Sequence, residues 1–440
     1  MDPFSLLTLA SEFPMPSAWA YEGPCRVQHG DKHWEREMNA AWTDSGVGML
    51  HDADRAIWNI GMRAEYGVRI PTITIAARDG SWNTRRVHPY TRDERARRTE
   101  LHWREMWQRV TPNDIAATVM LFQNPPSIVF PDPLPRVSGV FGRSTGENGL
   151  RSRLFEREAL LRPTKLGDEP LLAVAYEGPP LAPQQSVSIL TVLSLVFGRD
   201  LDAVAELAVD VEGNTASRRL YADRSRCERE PRPALMCTHA QTVSALGASL
   251  TTMVEKARRL RFDDDGPIDS AVITLLACNG GRRDFEIRDI VLALDTMVES
   301  PAFTPKEGRI VEDFGPIAEH MHAAIKTLPG DVPKALLIRL RERIAEANQT
   351  FMTARRERFW KTVGFIPTPE EIRALRRRNT VSHKGFVDVE DVAAERALFL
   401  DLRRARTLVN EAFLALLGYD GPVPTVEGRT RPIRTSTPAA

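Results

Sequence analysis

Residues 368–385 read Thr-Pro-Glu-Glu-Ile-Arg-Ala-Leu-Arg-Arg-Arg-Asn-Thr-Val-Ser-His-Lys-Gly. Thr368 is a typical helix cap, Pro369 suits the first helical position, and Glu371 can close a capping box by bonding back to the cap. Gly385 is a typical residue just beyond a helix end. The stretch therefore predicts one helix that begins at a defined residue and carries an arginine-histidine segment to its end.

The end of this predicted helix has the residue types that phosphodiester chemistry requires without a metal. Arg378 offers a planar cation that can hold a phosphate, and His383 offers a base with an ordinary pKa of about 6.5. Asn379 adds a polar group that can orient either partner. The alternative is structural: Arg378 pairs with an acidic neighbour such as Glu371, and His383 caps the helix end.

The spacing by itself is not specific. Arginine followed by histidine at similar spacing also occurs at Arg26/His33, Arg95 or Arg97/His102, and Arg232/His239. The late copy differs because a polar residue follows its arginine and helices are predicted on both sides. On a helix, positions 379 and 383 share a face, whereas positions 378 and 383 diverge. We therefore expect the pair to converge near a helix end or between two copies of the chain.

Residues 234–420 are predicted to be all-α. Apolar residues recur at helical spacing over residues 238–260 and 284–298, and Asp331 with Pro333 marks a further helix start. A last helix is expected over residues 389–417, stopped by Gly418. The expected inward residues of the helix that follows Asp331 are Leu336, Leu337, Leu340, Ile344, Ala347 and Phe351. Those of the last helix are Leu398, Leu402, Ala405, Val409, Ala412, Phe413 and Leu416.

Residues 1–222 have a different pattern and predict a strand-rich α+β region. Short β-prone runs, separated by proline and glycine turns, occupy residues 68–75, 127–130 and 171–176. A helical patch is expected at residues 92–109, and residues 186–198 fit either a helix or a strand. The charged, proline-bearing residues 223–233 predict a linker, and residues 421–440 predict a disordered tail.

Composition limits the function classes. The chain has 440 residues, 42% of them hydrophobic, and a formal net charge of zero, so overall charge provides no argument for nucleic-acid binding. Four cysteines without a C-x-x-C spacing give no zinc-finger or thioredoxin motif, and no cofactor or metal is expected. The start lacks a signal-peptide pattern and the longest apolar run, residues 187–197, is too short to span a bilayer, so a cytoplasmic protein is expected.

The residues of the late segment resemble a known family. Arg378-Asn379-x-x-x-His383 with Lys384-Gly385, a capped helix before it and a long last helix ending at Leu417-Gly418-Tyr419 is similar to the HEPN superfamily. Members are helical bundles whose hallmark is R-x4-6-H with a polar residue after the arginine. The resemblance covers about residues 284–420. A strand-rich region before the bundle, with a run like residues 186–200, resembles the ApeA-type members linked to anti-phage defence.

This resemblance implies a metal-independent endoribonuclease with a cleft formed by two bundles. Because one convincing motif is present, a homodimer would supply the pair. Arg378, Asn379 and His383 are then catalytic, and Ser382, Lys384 and Arg377 are candidate phosphate contacts. RNA, with transfer RNA as one candidate, is the implied substrate, and residues 1–222 would sense a phage-derived or nucleic-acid trigger. The alternative is a helical dimer that binds nucleic acid or a protein without cutting.

Overall fold

The computed structural model describes residues 19–29, 32–42, 48–53, 72–77, 80–85, 88–93, 98–103, 105–109, 115–123, 132–133, 138–139, 142–143, 148–166, 169–212, 215–221, 234–235, 240–277, 283–303, 313–330, 332–347, 352–384 and 392–434. The chain divides into two compact units. The sheet unit comprises Met1–Glu255, Gly418–Pro424 and Thr430–Pro432. The helical unit comprises Lys256–Leu417, Thr425–Arg429 and Ile433–Ala440.

The sheet unit is built on one large antiparallel sheet, as the strand-rich pattern predicts. Its described strands are β1 Trp19–His29, β2 Lys32–Trp42, β3 Gly48–Ala53, β4 Thr72–Ala77, β5 Gly80–Arg85, β6 His88–Asp93, β7 Arg98–Trp103, β8 Glu105–Arg109, β9 Ile115–Gln123, β10 Asp132–Pro133, β13 Asn148–Leu154, β14 Arg157–Leu166, β15 Glu169–Glu177, β16 Asp202–Asp210 and β17 Thr215–Tyr221. Their order is β10-β13-β14-β15-β9-β16-β17-β8-β5-β4-β1-β2-β3-β7-β6. Two short strands, β11 Ser138–Gly139 and β12 Gly142–Arg143, pair separately.

The core of the sheet unit lies around β9, which pairs with β15 on one side and β16 on the other. Residues 117–122 of β9 are all buried, so both faces of the strand are covered. Helix α1, Pro183–Phe197, follows β15 and ends at Gly198, whose φ of 65° is left-handed. The run that fitted either a helix or a strand is therefore a buried helix, with proline at its start and glycine at its end.

The helical patch expected at residues 92–109 is wrong. The described residues there form strands, and β8 pairs with β17 and β5. Met106 and Gln108 are buried while Trp107 is less so, which is the two-residue alternation of a strand. Pairing on both edges satisfies the backbone of this short segment, and that outweighs its local helix preference.

Helix α2, Ala240–Phe262, confirms the helical pattern over residues 238–260.

The sequence placed the domain boundary in residues 223–233, whereas the boundary between the two units lies after Glu255, inside α2. The first half of α2 packs on β13 at Gly247. A Cβ there would lie 2.9 Å from the carbonyl oxygen of Arg151, and the Oγ of Ser152 donates to the Gly247 carbonyl at 2.7 Å. This close approach makes the first half of α2 part of the sheet unit.

The helical unit contains the end of α2, from Lys256 onward, and the following helices. They are α3 Ile268–Ala277, α4 Arg283–Val298, α5 Gly315–Lys326, α6 Lys334–Ala347, α7 Met352–Val363, α8 Pro369–Lys384 and α9 Val392–Leu416. The expected inward stripe of α9 is confirmed from Leu398 to Phe413, and Gly418, with a φ of 81°, follows its end. The expected inward stripe of α6 is confirmed at Ile344, which is buried, and is wrong at Leu336, which is 47% exposed.

The disordered tail expected at residues 421–440 is also wrong over residues 421–434. Strand β18, Pro422–Pro424, pairs antiparallel with β19, Thr430–Pro432. Val423 is buried at 1% exposure, and Gly428 turns the chain with a φ of 78°. Tyr419 donates its hydroxyl to the carbonyl of Pro422 at 2.9 Å. Short-range hydrogen bonds and one buried valine therefore give order to a segment that its composition marks as flexible.

Some predictions fall on other parts of the chain. Residues 127–130, the proposed linker 223–233 and the helix start at Asp331 lie outside the described residues. None of the helices in the described ranges is long and apolar enough to cross a membrane.

Candidate active site on helix α8

Helix α8 begins as the sequence predicts. The Thr368 amide donates to Oε2 of Glu371 at 2.8 Å, and the Glu371 amide donates to Oγ1 of Thr368 at 3.3 Å. These two bonds form the capping box, which satisfies two amides that have no partner within the helix. The helix then runs without a break to Lys384, and the predicted stop residue Gly385 lies outside the described residues.

The arginine-histidine segment forms the last two turns of α8. The structure describes the backbone of this segment, whereas the side chains of Arg378, Asn379, Ser382, His383 and Lys384 lie outside its described part. The backbone alone places positions 379 and 383 one turn apart on the same face. Positions 378 and 383 are separated by about 140° around the helix axis. A single copy of α8 therefore does not place the arginine and histidine positions on one face.

The two positions continue two different stripes of α8. Glu371, Ala374 and Leu375 are buried, and position 378 follows them at helical spacing. Ile372 is half-buried and Arg376 is exposed, and positions 379 and 383 follow these residues. The arginine position thus extends the inward stripe of the helix, and the histidine position extends its more exposed stripe.

Arg377 is the one candidate phosphate contact whose side chain the structure describes. Its Nε donates to Oδ2 of Asp401 on α9 at 2.9 Å, and its side chain is 36% exposed. Part of the guanidinium is therefore engaged in a contact between α8 and α9. The ion pair fixes the position of α8 one residue before the motif.

A buried ion cluster holds the start of α8. Arg434 donates from Nη1 and Nη2 to the two carboxylate oxygens of Glu371 at 2.7 and 2.8 Å. The same Nη2 donates to Oε2 of Glu411 on α9 at 2.8 Å, and the Arg434 amide donates to Oε1 of Glu411 at 2.9 Å. The side chains of Glu371 and Glu411 are only 8% and 1% exposed. One arginine thus neutralises carboxylates on two consecutive helices, 63 and 23 positions before it in the chain.

The cluster has two further consequences. Burial alone would lower the pKa of Arg434, but its hydrogen bonds to Glu371 and Glu411 outweigh that effect and raise the pKa. The guanidinium also lies 4.8 Å from the ring centre of Phe365, just before the helix cap. Since both oxygens of Glu371 already accept from Arg434, that carboxylate needs no pairing with Arg378 to be satisfied.

An open cavity of about 670 Å³ lies between α7 and the first half of α8. We call it the α7–α8 groove. Its lining residues are Thr353, Arg356, Glu357, Trp360, Lys361, Phe365, Ile366, Pro367, Ile372, Leu375 and Arg376. Ile372 and Arg376 belong to the stripe that leads to positions 379 and 383, so the groove lies on the same side of α8 as the histidine position.

Buried contacts make the walls of this groove rigid. Arg356 on α7 forms a two-pronged pair with Asp295 on α4, with Nε and Nη2 donating at 2.8 and 2.9 Å. Phe359 and Trp360 meet edge to face with ring centres 5.1 Å apart. Trp360 also lies 5.9 Å from the ring centre of Phe365. The groove is therefore a preformed feature of the bundle.

Among the described residues, no three histidine, cysteine, aspartate or glutamate side chains lie together in a way that could hold a metal ion. Comparisons of the chain with models of protein families, with curated proteins and with solved structures found no match. The resemblance to HEPN proteins therefore rests on residues 378–383 and their place on a helix.

The sequence did not predict the Arg434 cluster or the α7–α8 groove. The signal for the first was present: Glu427-Gly428 is a turn pair, flanked by apolar Val423 and Ile433 at positions that suit a hairpin. Arg434 follows immediately. The groove has no local signal, because its lining comes from two helices and the loop between them.

Proposed function

We propose that the protein is a metal-independent endoribonuclease of the HEPN type, with a composite site formed by two copies of α8. Arg378 and His383 are its catalytic residues and Asn379 orients one of them. The observation that carries the proposal is the placement of the motif on the last two turns of a continuous helix whose start is held by the capping box and Arg434. The finer expectation of an ApeA-like role in phage defence, with a trigger at residues 1–222, belongs to the same proposal.

The divergence of positions 378 and 383 favours two copies over one. Because the positions lie about 140° apart on one helix, a phosphate in contact with Arg378 of one copy is best reached by His383 of a second copy. Two antiparallel α8 ends would bring two arginines and two histidines to one groove. Isologous contact between identical surfaces is the commonest way to form a dimer.

The chemistry is an in-line transfer at phosphorus. One His383 accepts the proton of the ribose 2′-OH while the O2′–P bond forms and the P–O5′ bond breaks. The other His383 donates a proton to the departing O5′, so the products are a 2′,3′-cyclic phosphate and a 5′-OH. Arg378 stabilises the negative charge on the non-bridging oxygens. DNA lacks the 2′-OH and should not be cut.

A second candidate is a helical dimer that binds nucleic acid or a protein without cutting. The observation that favours it is the inward stripe of Glu371, Ala374 and Leu375, which position 378 continues. An arginine at such a position commonly has a structural role. This candidate predicts RNA or protein binding with no dependence on His383 for turnover.

Cleavage of RNA in EDTA tests the proposal. Purified protein is incubated with total RNA and with a labelled single-stranded RNA, and product ends are identified by mass spectrometry. We expect cyclic phosphate ends from the wild type and a loss of at least about a hundredfold in rate for His383→Ala, since general acid–base groups typically contribute that much.

The matched control is His320→Ala, an exposed histidine on α5 of the same unit. Equal cleavage by His383→Ala and His320→Ala would exclude His383 from catalysis. A mixture of His383→Ala and Arg378→Ala proteins that regains activity would support a shared site. A chain that stays monomeric at high concentration yet cuts RNA would contradict the two-copy arrangement.

A further inference from the structure

We propose that the α7–α8 groove is a nucleotide-binding site, with the phosphate held by Lys361 and Arg376 and the base against the apolar part of the lining. A cavity of about 670 Å³ falls in the range of roughly 300–1,000 Å³ that small-molecule sites occupy. The nucleotide can be free or part of an RNA strand. In the second case alone, the inference rests on the proposed function and extends it to a flanking subsite.

The charged lining fits an anion. Arg356 is already paired with Asp295, and the exposed side chains of Lys361 and Arg376 form no ion pair or hydrogen bond with other described residues. Glu357 is the one acidic side chain among the residues that line the groove. Besides the paired Arg356, the lining therefore has two cations, one from each helix, and one carboxylate. Two cations on separate rigid elements suit a phosphate group.

The rest of the lining fits a flat apolar body. Trp360, Phe365, Ile366, Pro367 and Ile372 line the groove. Ile366 is 64% exposed, which is a large apolar exposure for an ordered loop next to two cations. Trp360 is 4% exposed, and its Nε1 has no acceptor among the described residues. Apolar contact together with a few fixed polar groups is the usual composition of a site for a nucleobase with its phosphate.

The position of the groove relates it to the motif. Arg376 lies on the stripe of α8 that includes positions 379 and 383. Seven residues separate position 376 from position 383, which corresponds to about 10 Å along the helix axis. An RNA strand held at the motif would pass the mouth of the groove, so a nucleotide that flanks the cleaved bond could enter the groove.

Equilibrium binding tests the inference. The ligands are 5′-GMP and 5′-AMP, measured by calorimetry with the wild type, and a labelled eight-nucleotide single-stranded RNA, measured by anisotropy in a His383→Ala background that prevents cutting. The test variant is Lys361→Gln with Arg376→Gln. The matched control is Arg358→Gln with Arg373→Gln, which removes two exposed cations from the same two helices outside the groove.

We expect the groove variant to bind at least one ligand class about tenfold more weakly than the control, since charged contacts at partly exposed sites are worth about that much. Weaker binding of mononucleotides and RNA, of RNA alone, or of mononucleotides alone each supports the site and identifies its source of nucleotide. Ile366→Glu, which places a negative charge at the rim, should reproduce the loss.

Equal affinities of the groove and control variants for both ligand classes would overturn the inference. A parent protein that binds neither mononucleotides nor RNA would overturn it as well. The proposed function is judged separately by cleavage in EDTA. RNA that is cut normally by the groove variant with unchanged KM therefore excludes an RNA subsite at the groove and leaves the nuclease intact. Binding at the groove without cleavage refutes the nuclease alone.

Discussion

Removal of the Arg434 side chain should destabilise the helical unit strongly. In Arg434→Ala, the buried carboxylates of Glu371 and Glu411 lose four hydrogen bonds from the guanidinium, three of them at 2.7–2.8 Å. Breaking a buried ion pair typically costs about 3–5 kcal/mol. Because the Arg434 side chain is 23% exposed, water can reach part of the vacated space, so we expect about 3 kcal/mol.

A loss of that size corresponds to a fall of roughly 6–12 °C in Tm for a unit of this size. Circular dichroism at the helix band and scanning calorimetry measure it. The matched control is Arg429→Ala, an exposed arginine in the same hairpin, which should leave Tm unchanged within about 1 °C. A chain that ends at Ile433 should lose more stability than Arg434→Ala, since it also loses the Arg434 amide that donates to Glu411.

A compensating variant tests the electrostatic cause. Arg434→Met with Glu371→Gln and Glu411→Gln leaves no buried charge in the cluster, and glutamine at position 371 can still close the capping box. This variant should recover most of the lost stability. If Arg434→Ala melts at the same temperature as Arg429→Ala, or if the triple variant is no more stable than Arg434→Ala, the role assigned to the cluster is incorrect.

Three further variants examine other contacts. Gly247→Ala places a Cβ 2.9 Å from the Arg151 carbonyl oxygen and should cost about 1–3 kcal/mol by denaturant unfolding, whereas exposed Ala248→Ser should not. Burial, with a smaller contribution from Glu37, raises the pKa of Cys25 from 9.0 to about 12, so its thiol should resist alkylation until the sheet unit unfolds. Since the native state holds this proton more tightly, Cys25 stabilises the fold below pH 9, and this contribution is lost as the pH rises towards 12. Between pH 8 and 10.5, the free energy of unfolding of the wild type should therefore fall by up to about 2 kcal/mol more than that of Cys25→Ala. Arg377→Ala should cost only about 0.3–1 kcal/mol, well below Arg434→Ala, because its pair with Asp401 is more than one-third exposed on the arginine side.

The elements that the sequence predicts well are those set by neighbouring residues. The start of α8 follows from Thr368 and Glu371, because capping bonds join residues three positions apart. The inward stripe of α9 follows from apolar spacing over a long helix. The position of the candidate site on α8 was predictable for the same local reason.

The predictions that were wrong concern residues whose structure is set by contacts with distant parts of the chain. Residues 105–109 form a strand because β8 pairs with β17, more than a hundred residues later in the chain. Leu336 matches a helical stripe, but its helix presents that position to solvent. Composition marked residues 421–434 as disordered, although a turn and one buried valine are enough to order them.

The sequence by itself determined where α8 begins and which residues it carries, because a helix start is defined by hydrogen bonds within a few residues. Only the tertiary structure decided what α8 is held by and what lies beside it. Arg434 reaches Glu371 across 63 positions of sequence, and the α7–α8 groove exists only where two helices and a loop meet. Both depend on packing between distant segments, and a local pattern contains no information about the distance between them.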